Sequence, residues 1–353
     1  MHQLQEAENR QSPGATTWAA DFLNRDGENR NNFGLWFASG AIHEAKKRRA
    51  TQVITCSFAC GKWLHMIKAR ASPSCELCKR ERGQGRAAVQ ALPEETVAHI
   101  QSAQCTAQKK SVTGAHNKCW KYLLGAITNF GKAERKFEFI GDDKDRQLES
   151  LWKDTEIGNV LPWGDIEDEA ERLLELRRAS QDATTKDNEN EEQKWDREVM
   201  RDGADSYEEV IFGRRRPHSV VVDWSNRVLF VLEFKRTSDQ RRDYRERGES
   251  RPRTQHDVLV QSLEKVARDA DDENEGWKIK LLIFVGGTSG SMNVKTFNDN
   301  LKELQVIESK WNAIRKGLAF ELLNAQDAVL CSYFAQRAEA RRGLRNSSTC
   351  RGC

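Results

Sequence analysis

No run of apolar residues in the 353-residue chain approaches the ~20 needed to cross a bilayer as a helix, so a membrane partner is not expected. The N-terminus carries Glu6 and Glu8 and no apolar core, which argues against a secretory leader and places the protein inside the cell, nuclear or cytoplasmic. There is no internal repeat. Apolar residues are also scarce: 38% hydrophobic against 31% charged is polar for a globular protein, so part of the length is expected to be solvated linker or tail. What the chain does have is cysteine. Nine cysteines in a reducing compartment point to metal binding more than to disulfides.

Net charge is only +3, but it is distributed in blocks. Gly40–Arg86 carries 11 Lys and Arg against 3 Asp and Glu, Gly164–Glu209 carries 7 against 17, and Val210–Arg253 carries 12 against 6. Two basic blocks flanking an acidic one suit an anionic partner such as DNA or RNA. Charge by itself fits solvated faces equally well.

The pattern along the chain divides it as follows. Residues 1–35 are polar, without periodicity, and read as disordered. Residues 36–130 hold a helical, cysteine-bearing module. Residues 131–179 form a helical connector, in which Asp165 is placed to cap a helix with Ile166, Ala170, Leu173 and Leu174 at helical spacing. Residues 180–206 are an acidic linker. Residues 207–342 change character and 343–353 form a tail. Within 207–342, Ser219–Trp224 and Arg227–Lys235 read as strands joined at Ser225-Asn226 into a hairpin. A helix follows near Thr254–Ala270, with Val258, Leu259, Ser262, Leu263 and Val266 on one face. Trp277–Val285 is a buried strand, and helices span Phe297–Leu304 and Ser309 to about Arg341. This order predicts an α/β domain, a mixed sheet with flanking helices, preceded by a mainly helical module.

Glu233-Phe234-Lys235 puts a carboxylate and an amine on one face of a strand, because side chains two apart leave the same side. With a second acid on the adjacent strand, such a set serves metal-dependent hydrolysis. Carboxylates hold a hard divalent ion, Mg2+ or Mn2+, and the ion polarises a phosphate and activates water. The lysine stabilises developing charge. Asp223 is the only acid in the leading strand. A turn at Ser225-Asn226, however, sets it opposite Val228, roughly 17 Å along the strand from Glu233 at ~3.3 Å per residue. The position facing Glu233 is 218, a histidine.

Pro217-His218-Ser-Val-Val-Val-Asp223 followed by Val231-Leu-Glu233-Phe-Lys235 resembles the PD-(D/E)xK nuclease superfamily, with Pro-Asp changed to Pro-His. Val285-Gly286-Gly287 and Asn298-x-x-Leu301-x-x-Leu304 are similar to the C-terminal restriction-endonuclease-like domain of site-selective non-LTR retrotransposon proteins. The resemblance covers about Glu208–Ala340. It implies a restriction-endonuclease-like fold and DNA nicking, with Glu233 as metal ligand, Lys235 as catalytic lysine and His218 in place of the metal-binding aspartate. Glu209 is implied as an extra carboxylate, and Gln255 or Lys265 as auxiliary residues. Imidazole offers one nitrogen and no charge where magnesium wants oxygen, so Mg2+-dependent activity is expected to be impaired.

Cys75-x2-Cys78 has the spacing of a metal knuckle, and His99 and Cys105 complete a Cys3His set suited to structural Zn2+. His116 and Cys119 are alternative ligands, Cys56-x3-Cys60 is a spare pair, and Cys350-x2-Cys353 lies in the tail. The same retrotransposon proteins carry a Cys-Cys-His-Cys finger ahead of the nuclease, often with Glu-Thr-x-x-His before the third ligand. Glu95-Thr96-Val-Ala-His99 resembles that, and Trp63–Lys68 resembles the helix leading into it.

Arg214, Arg215 and Arg216 enter the site strand, and Arg241, Arg242 and Arg245 follow it, as backbone-phosphate contacts would require. Interleaved acids at helical spacing offer internal pairing instead. A reverse-transcriptase Tyr-x-Asp-Asp run is missing. Two functions remain open: a retroelement-derived, metal-dependent DNA endonuclease damaged at His218, or a non-catalytic, zinc-stabilised nucleic-acid-binding protein that keeps the nuclease fold.

Overall fold

The computed structural model describes residues 35–54, 58–82, 92–102, 105–141, 148–182, 217–239, 244–270 and 276–349. Glu209, Arg214–Arg216, Arg241, Arg242, Cys56, Cys350, Cys353 and nearly all of the expected disordered N-terminus and acidic linker lie outside these residues. The chain forms two compact units. One comprises Met1–Gly131, Lys235–Arg245 and Val285–Cys353; the other comprises Lys132–Phe234 and Glu246–Phe284.

The protein is of mixed α/β class, with a four-stranded sheet in the order β1-β2-β3-β4. β1 is Phe137–Ile140, β2 Ser219–Asp223, β3 Val228–Thr237 and β4 Lys278–Gly287. The first three strands pair antiparallel. Lys278 N donates to Arg227 O and Thr288 N to Thr237 O, so β4 runs parallel to β3 and the sheet is mixed. A parallel neighbour needs a crossover. The helix Tyr244–Asp269 supplies it.

The hairpin is centred where the sequence puts it: Ser219 faces Leu232 and Asp223 faces Val228. Asp223 anchors the turn. Its Oδ1 accepts from the amides of Ser225 (3.1 Å) and Asn226 (3.2 Å), and its Oδ2 accepts from Asn226 Nδ2 at 2.6 Å. This is the Asx-turn use of a carboxylate, and it explains an acid so far from Glu233.

Three features depart from the sequence reading. Phe137–Ile140, in a connector expected to hold only short helices, is an edge strand of the sheet, with Phe137 opposite Asp223 and Ile140 opposite Val220. Four residues are too few to show alternation, and strand pairing there depends on a partner distant in sequence. The helix expected from Thr254 begins at Tyr244 and carries Pro252 inside it. The helix assigned a cap at Asp165 starts at Trp163, so Asp165 sits in its first turn, where a negative charge still favours the helix N-terminus.

In the second unit the core forms on one face of the sheet. Val220 and Val222 of β2 and Leu229 and Val231 of β3 meet Val258, Leu259, Leu263 and Val266 of the crossover helix. Trp152, Ile157, Trp163 and Ile166 from the connector join the same cluster. Residues directly opposite in an antiparallel pair share a face, so positions 218 and 233 continue this face beyond Val220 and Val231.

In the first unit the helices Lys109–Asn129 and Glu308–Thr349 pack together. They bury Leu123 and Ile127 on the one and Ile314, Leu318 and Leu322 on the other. Ser111 and Ser332 hydroxyls meet at 2.8 Å, and Lys118 pairs with Glu321 at 2.9 Å. Asp239, fully buried, accepts from Thr288 Oγ1 (3.1 Å), Ser289 N (2.9 Å) and Ser291 Oγ (2.7 Å), and so fixes the loop that ends β4. A side chain at Gly287 would collide with Asp239 and Ser291, which is why that strand ends in glycine.

Candidate functional sites

Two side-chain groups carry chemistry, one in each unit. In the first unit, Cys75, Cys78, His99 and Cys105 bring all four potential ligand atoms within 4.8 Å of one another, and all four residues are buried. Cys78 Sγ lies 3.3 Å from His99 Nε2 and 3.8 Å from Cys105 Sγ. Such a group could hold a metal ion. Hydrogen bonds with Cys105 and Cys78 hold the Cys75 thiol far below the ordinary thiol range, whereas hydrogen bonds with Cys75 and Cys78, and burial, push Cys105 up. Burial pulls His99 down, but its hydrogen bonds with Cys75 and Cys78 outweigh that and raise it to about 9.

Local structure explains why Glu95-Thr96 precedes the histidine. Thr96 caps the short helix Val97–Ile100 by accepting from His99 N at 3.0 Å, which fixes the backbone under the ligand. Glu95 is fully buried and accepts from Gly61 N (2.9 Å), Arg70 Nη1 (2.9 Å) and Arg337 Nη1 (3.1 Å). Arg337 also reaches Glu76 at 2.9 Å, directly after Cys75. Glu95 thus ties the loop before His99 to the long C-terminal helix. Removing it takes from the half-buried Arg70 and the buried Arg337 one of their two shared carboxylates, leaving Glu76. Because Glu76 remains, Glu95→Ala is expected to cost about 2–3 kcal/mol in a denaturant melt, the range for losing hydrogen bonds to a buried charged group. A loss under about 1 kcal/mol would mean that the network contributes little.

The alternative ligands stand apart. His116 and Cys119 lie on the helix Lys109–Asn129, outside the four-residue group. Cys119 is fully buried and burial pushes its thiol up to about 11, as suits an inert core cysteine.

In the second unit, the register sets His218 beside Glu233. His218 N donates to Leu232 O at 3.0 Å, and His218 Nδ1 lies 2.7 Å from Glu233 Oε2. This contact is a hydrogen bond whose donor is set by the tautomer of His218 and the protonation of Glu233. The Phe234 amide points at the same nitrogen from 3.4 Å. Glu233 is 1% exposed, while the His218 side chain keeps 20% of its surface open.

A third residue joins them that sequence reasoning missed. His256 is fully buried and its Nε2 lies 3.1 Å from the same Glu233 Oε2. That approach is not aligned as a hydrogen bond: neither ring nitrogen of His256 has a hydrogen-bond partner among the described residues. The missing signal was helical spacing. Leu259 and Leu263 face the sheet, and stepping back three and seven residues from them reaches His256. The implied auxiliary residues are one step off or occupied elsewhere: Gln255 is half-buried, and Lys265 Nζ is held by Asp269 at 2.6 and 2.7 Å.

Lys235 follows two residues later in β3, half-buried, and falls in the first unit. Arg245 also belongs there; its guanidinium donates to Tyr244 OH (3.0 Å) and Met292 O (3.2 Å). No helix among the described residues is long and apolar enough to cross a membrane. Comparison with protein families, with curated proteins and with solved structures returned no match.

Proposed function

We propose that this chain is a zinc-stabilised, metal-dependent phosphodiesterase of the restriction-endonuclease-like type, acting on DNA, whose Mg2+ activity is weakened by His218. The observation that carries the reading is the hairpin register. It sets position 218 against Glu233, 2.7 Å apart, on the strand that also bears Lys235. The β3–helix–β4 crossover and the resemblance of Pro217–Lys235 to PD-(D/E)xK nucleases support it.

Zinc fits the first group by size and donor type. Tetrahedral Zn2+ with thiolates at about 2.3 Å and imidazole at about 2.0 Å has ligand edges of about 3.8 Å between sulfurs and about 3.5 Å from sulfur to nitrogen. The group shows 3.8 Å and 3.3 Å. With all four positions protein-borne and buried, the role is structural. A finger followed by a nuclease is the order found in the non-LTR retrotransposon proteins that this chain resembles, which makes target-site nicking the reaction of descent.

At the second group, a divalent ion on Glu233 would polarise the scissile phosphate and lower the pKa of its water. The chain's own residues set how well that works. Glu233 offers a buried carboxylate oriented by its hydrogen bond with His218. Lys235 supplies a cation for the developing phosphorane charge. His218 puts an imidazole where a second carboxylate would stand, so the pair lacks one of the two carboxylate ligands that a hard divalent ion favours. Arg214–Arg216, Arg241 and Arg242, which flank these residues in the sequence, are the proposed backbone-phosphate contacts; the Arg245 guanidinium is engaged with Tyr244 and Met292.

The His218–Glu233 hydrogen bond also favours a second reading, a nucleic-acid-binding protein without catalysis, because it occupies the carboxylate oxygen. Supercoiled plasmid separates the two. The proposed function expects cleavage in Mn2+ that exceeds cleavage in Mg2+ and is lost in Lys235→Ala. Plasmid bound but uncut in both ions would leave only the second reading.

A further inference from the structure

We propose that Gln101 is a positioning residue that ties the metal-holding cysteine group to the strand end bearing Lys235, so that an ion held by Cys75, Cys78, His99 and Cys105 sets how firmly that end is fixed. The inference rests on the zinc and Lys235 readings above and makes the second depend on the first. Every residue it uses belongs to the first unit.

Three observations carry it. First, Gln101 stands two residues after His99 and closes the helix Val97–Ile100, its amide donating to Val97 O at 2.9 Å. A four-residue helix does not hold itself together, so the place of Gln101 depends on what fixes His99. Second, the Gln101 side chain is used at both ends. Arg236 Nη2 donates to its Oε1 at 2.6 Å, and its Nε2 donates to Gln326 O at 3.0 Å. These partners assign the two ends of the amide, because a guanidinium only donates and a backbone carbonyl only accepts. Third, Gln101 is the one hydrogen-bond acceptor that the Arg236 guanidinium has among the described residues. Nε and Nη1 are buried without a partner, and burial pushes Arg236 down to about 10. A buried cation with a single acceptor is sensitive to the loss of that acceptor.

The bonds close into a ring. Gln326 Nε2 donates to Ser289 Oγ at 3.2 Å, Ser289 N donates to Asp239 Oδ2 at 2.9 Å, and Asp239 follows Arg236 on the same short segment. Gln101, Gln326, Ser289 and Asp239 are all buried, so water is not at hand to replace a lost bond. Arg236 and Lys235 leave opposite faces of β3. Holding Arg236 from behind fixes the planar peptide between the two residues, and with it the root of the Lys235 side chain, without touching the amine. Thr288 N, donating to Thr237 O at 2.8 Å, carries the same restraint to the end of β4.

The test is amide hydrogen exchange on the full chain, loaded with Co2+ and then stripped by a chelator. Stripping is expected to speed exchange about tenfold or more along Arg236–Asp239, as the loss of a hydrogen bond to a charged group would, while the middle of Lys109–Asn129 stays protected. Gln101→Leu should exchange as fast along Arg236–Asp239 with the metal still bound, shown by unchanged thiolate-to-Co2+ absorption, and stripping should add nothing there. Gln101→Glu keeps an acceptor for Arg236 and should restore slow exchange. Arg236→Met removes the cation together with its need for an acceptor; it breaks the same tie and decides the matter if Gln101→Leu does not load metal. Exchange along this stretch that responds to stripping equally in the parent and in the tie-breaking variants overturns the proposal. On plasmid in Mn2+, Gln101→Leu should lose turnover by about tenfold at unchanged KM, and Gln101→Glu should regain it. Full turnover in Gln101→Leu beside its altered exchange also overturns the positioning role. The expected exchange pattern with no cleavage by any of the proteins, the parent included, would uphold the tie and reject the nuclease reading.

Discussion

Replacing His218 with aspartate is expected, on the proposed function, to raise Mg2+-dependent cleavage of supercoiled DNA by about 100-fold or more over the parent chain. A catalytic ion supplies several kcal/mol of charge stabilisation, and each 1.36 kcal/mol is a factor of ten. In the proposed reading the parent would hold the ion through one buried carboxylate, Glu233, whose Oε2 already lies 2.7 Å from His218 Nδ1. Aspartate at the same register position adds an oxygen ligand and a negative charge, and it removes the imidazole that engages that oxygen. Side by side in the low dielectric of this face, two carboxylates repel unless a cation lies between them, so the variant's Mg2+ affinity rises for the same reason that its metal-free form is less stable. The assay compares nicked plasmid for both proteins in Mg2+ and in Mn2+. The ratio of Mn2+ to Mg2+ activity should fall in the variant. Equal and strong cleavage by both proteins in Mg2+ would show that position 218 does not hold the ion.

Chelation should unfold the first unit around its cysteine group. Structural Zn2+ in small modules carries apparent binding free energies of about 10–16 kcal/mol at pH 7, and much of that is folding energy. Cys75, Cys78, His99 and Cys105 lie on three separate short segments, and each segment is too small to fold alone. A strong chelator, or Cys78→Ser, is expected to lower the melting temperature by more than about 10 °C, at about 2–8 °C per kcal/mol. Amide protection should be lost first in Glu76–Arg82 and Val97–Ile100. Binding must displace the proton that neighbouring thiols hold on His99, raised to about 9, as well as those on the cysteines. Stabilisation by the ion therefore weakens as the pH falls. Cys119→Ser, at a buried cysteine outside the group, should leave the chelator effect intact. Melting unchanged by chelator, in the parent and in Cys78→Ser alike, would deny the ion a structural role.

Much of the second site was legible because a hairpin is a local object. Once the turn is fixed at Ser225-Asn226, pairing advances one residue at a time, and position 218 has no choice but to meet Glu233. The same logic correctly separated Asp223, which the turn uses for itself. The cysteine group was legible for a different reason: thiols and an imidazole at knuckle spacing have few other uses in a reducing compartment. His256 was not found, although its spacing from Leu259 and Leu263 marks it as sheet-facing. Choosing it over Gln255 required knowing how the crossover helix is rotated over β3, and that rotation is set by packing. The edge strand Phe137–Ile140 was missed because it is defined by the backbone of β2, some eighty residues away in sequence.

The sequence by itself determined the mixed α/β class, the register of the hairpin and the four residues of the first unit that could hold a metal ion, since each depends on periodicity or spacing within a short stretch. Tertiary structure alone decided that Glu95 would clasp two arginines and that a buried histidine would close on Glu233 from a helix. Those contacts join segments separated by tens to hundreds of residues, and nothing in a local pattern specifies which side chain a distant element will present. Packing of the apolar stripe against the sheet made that choice.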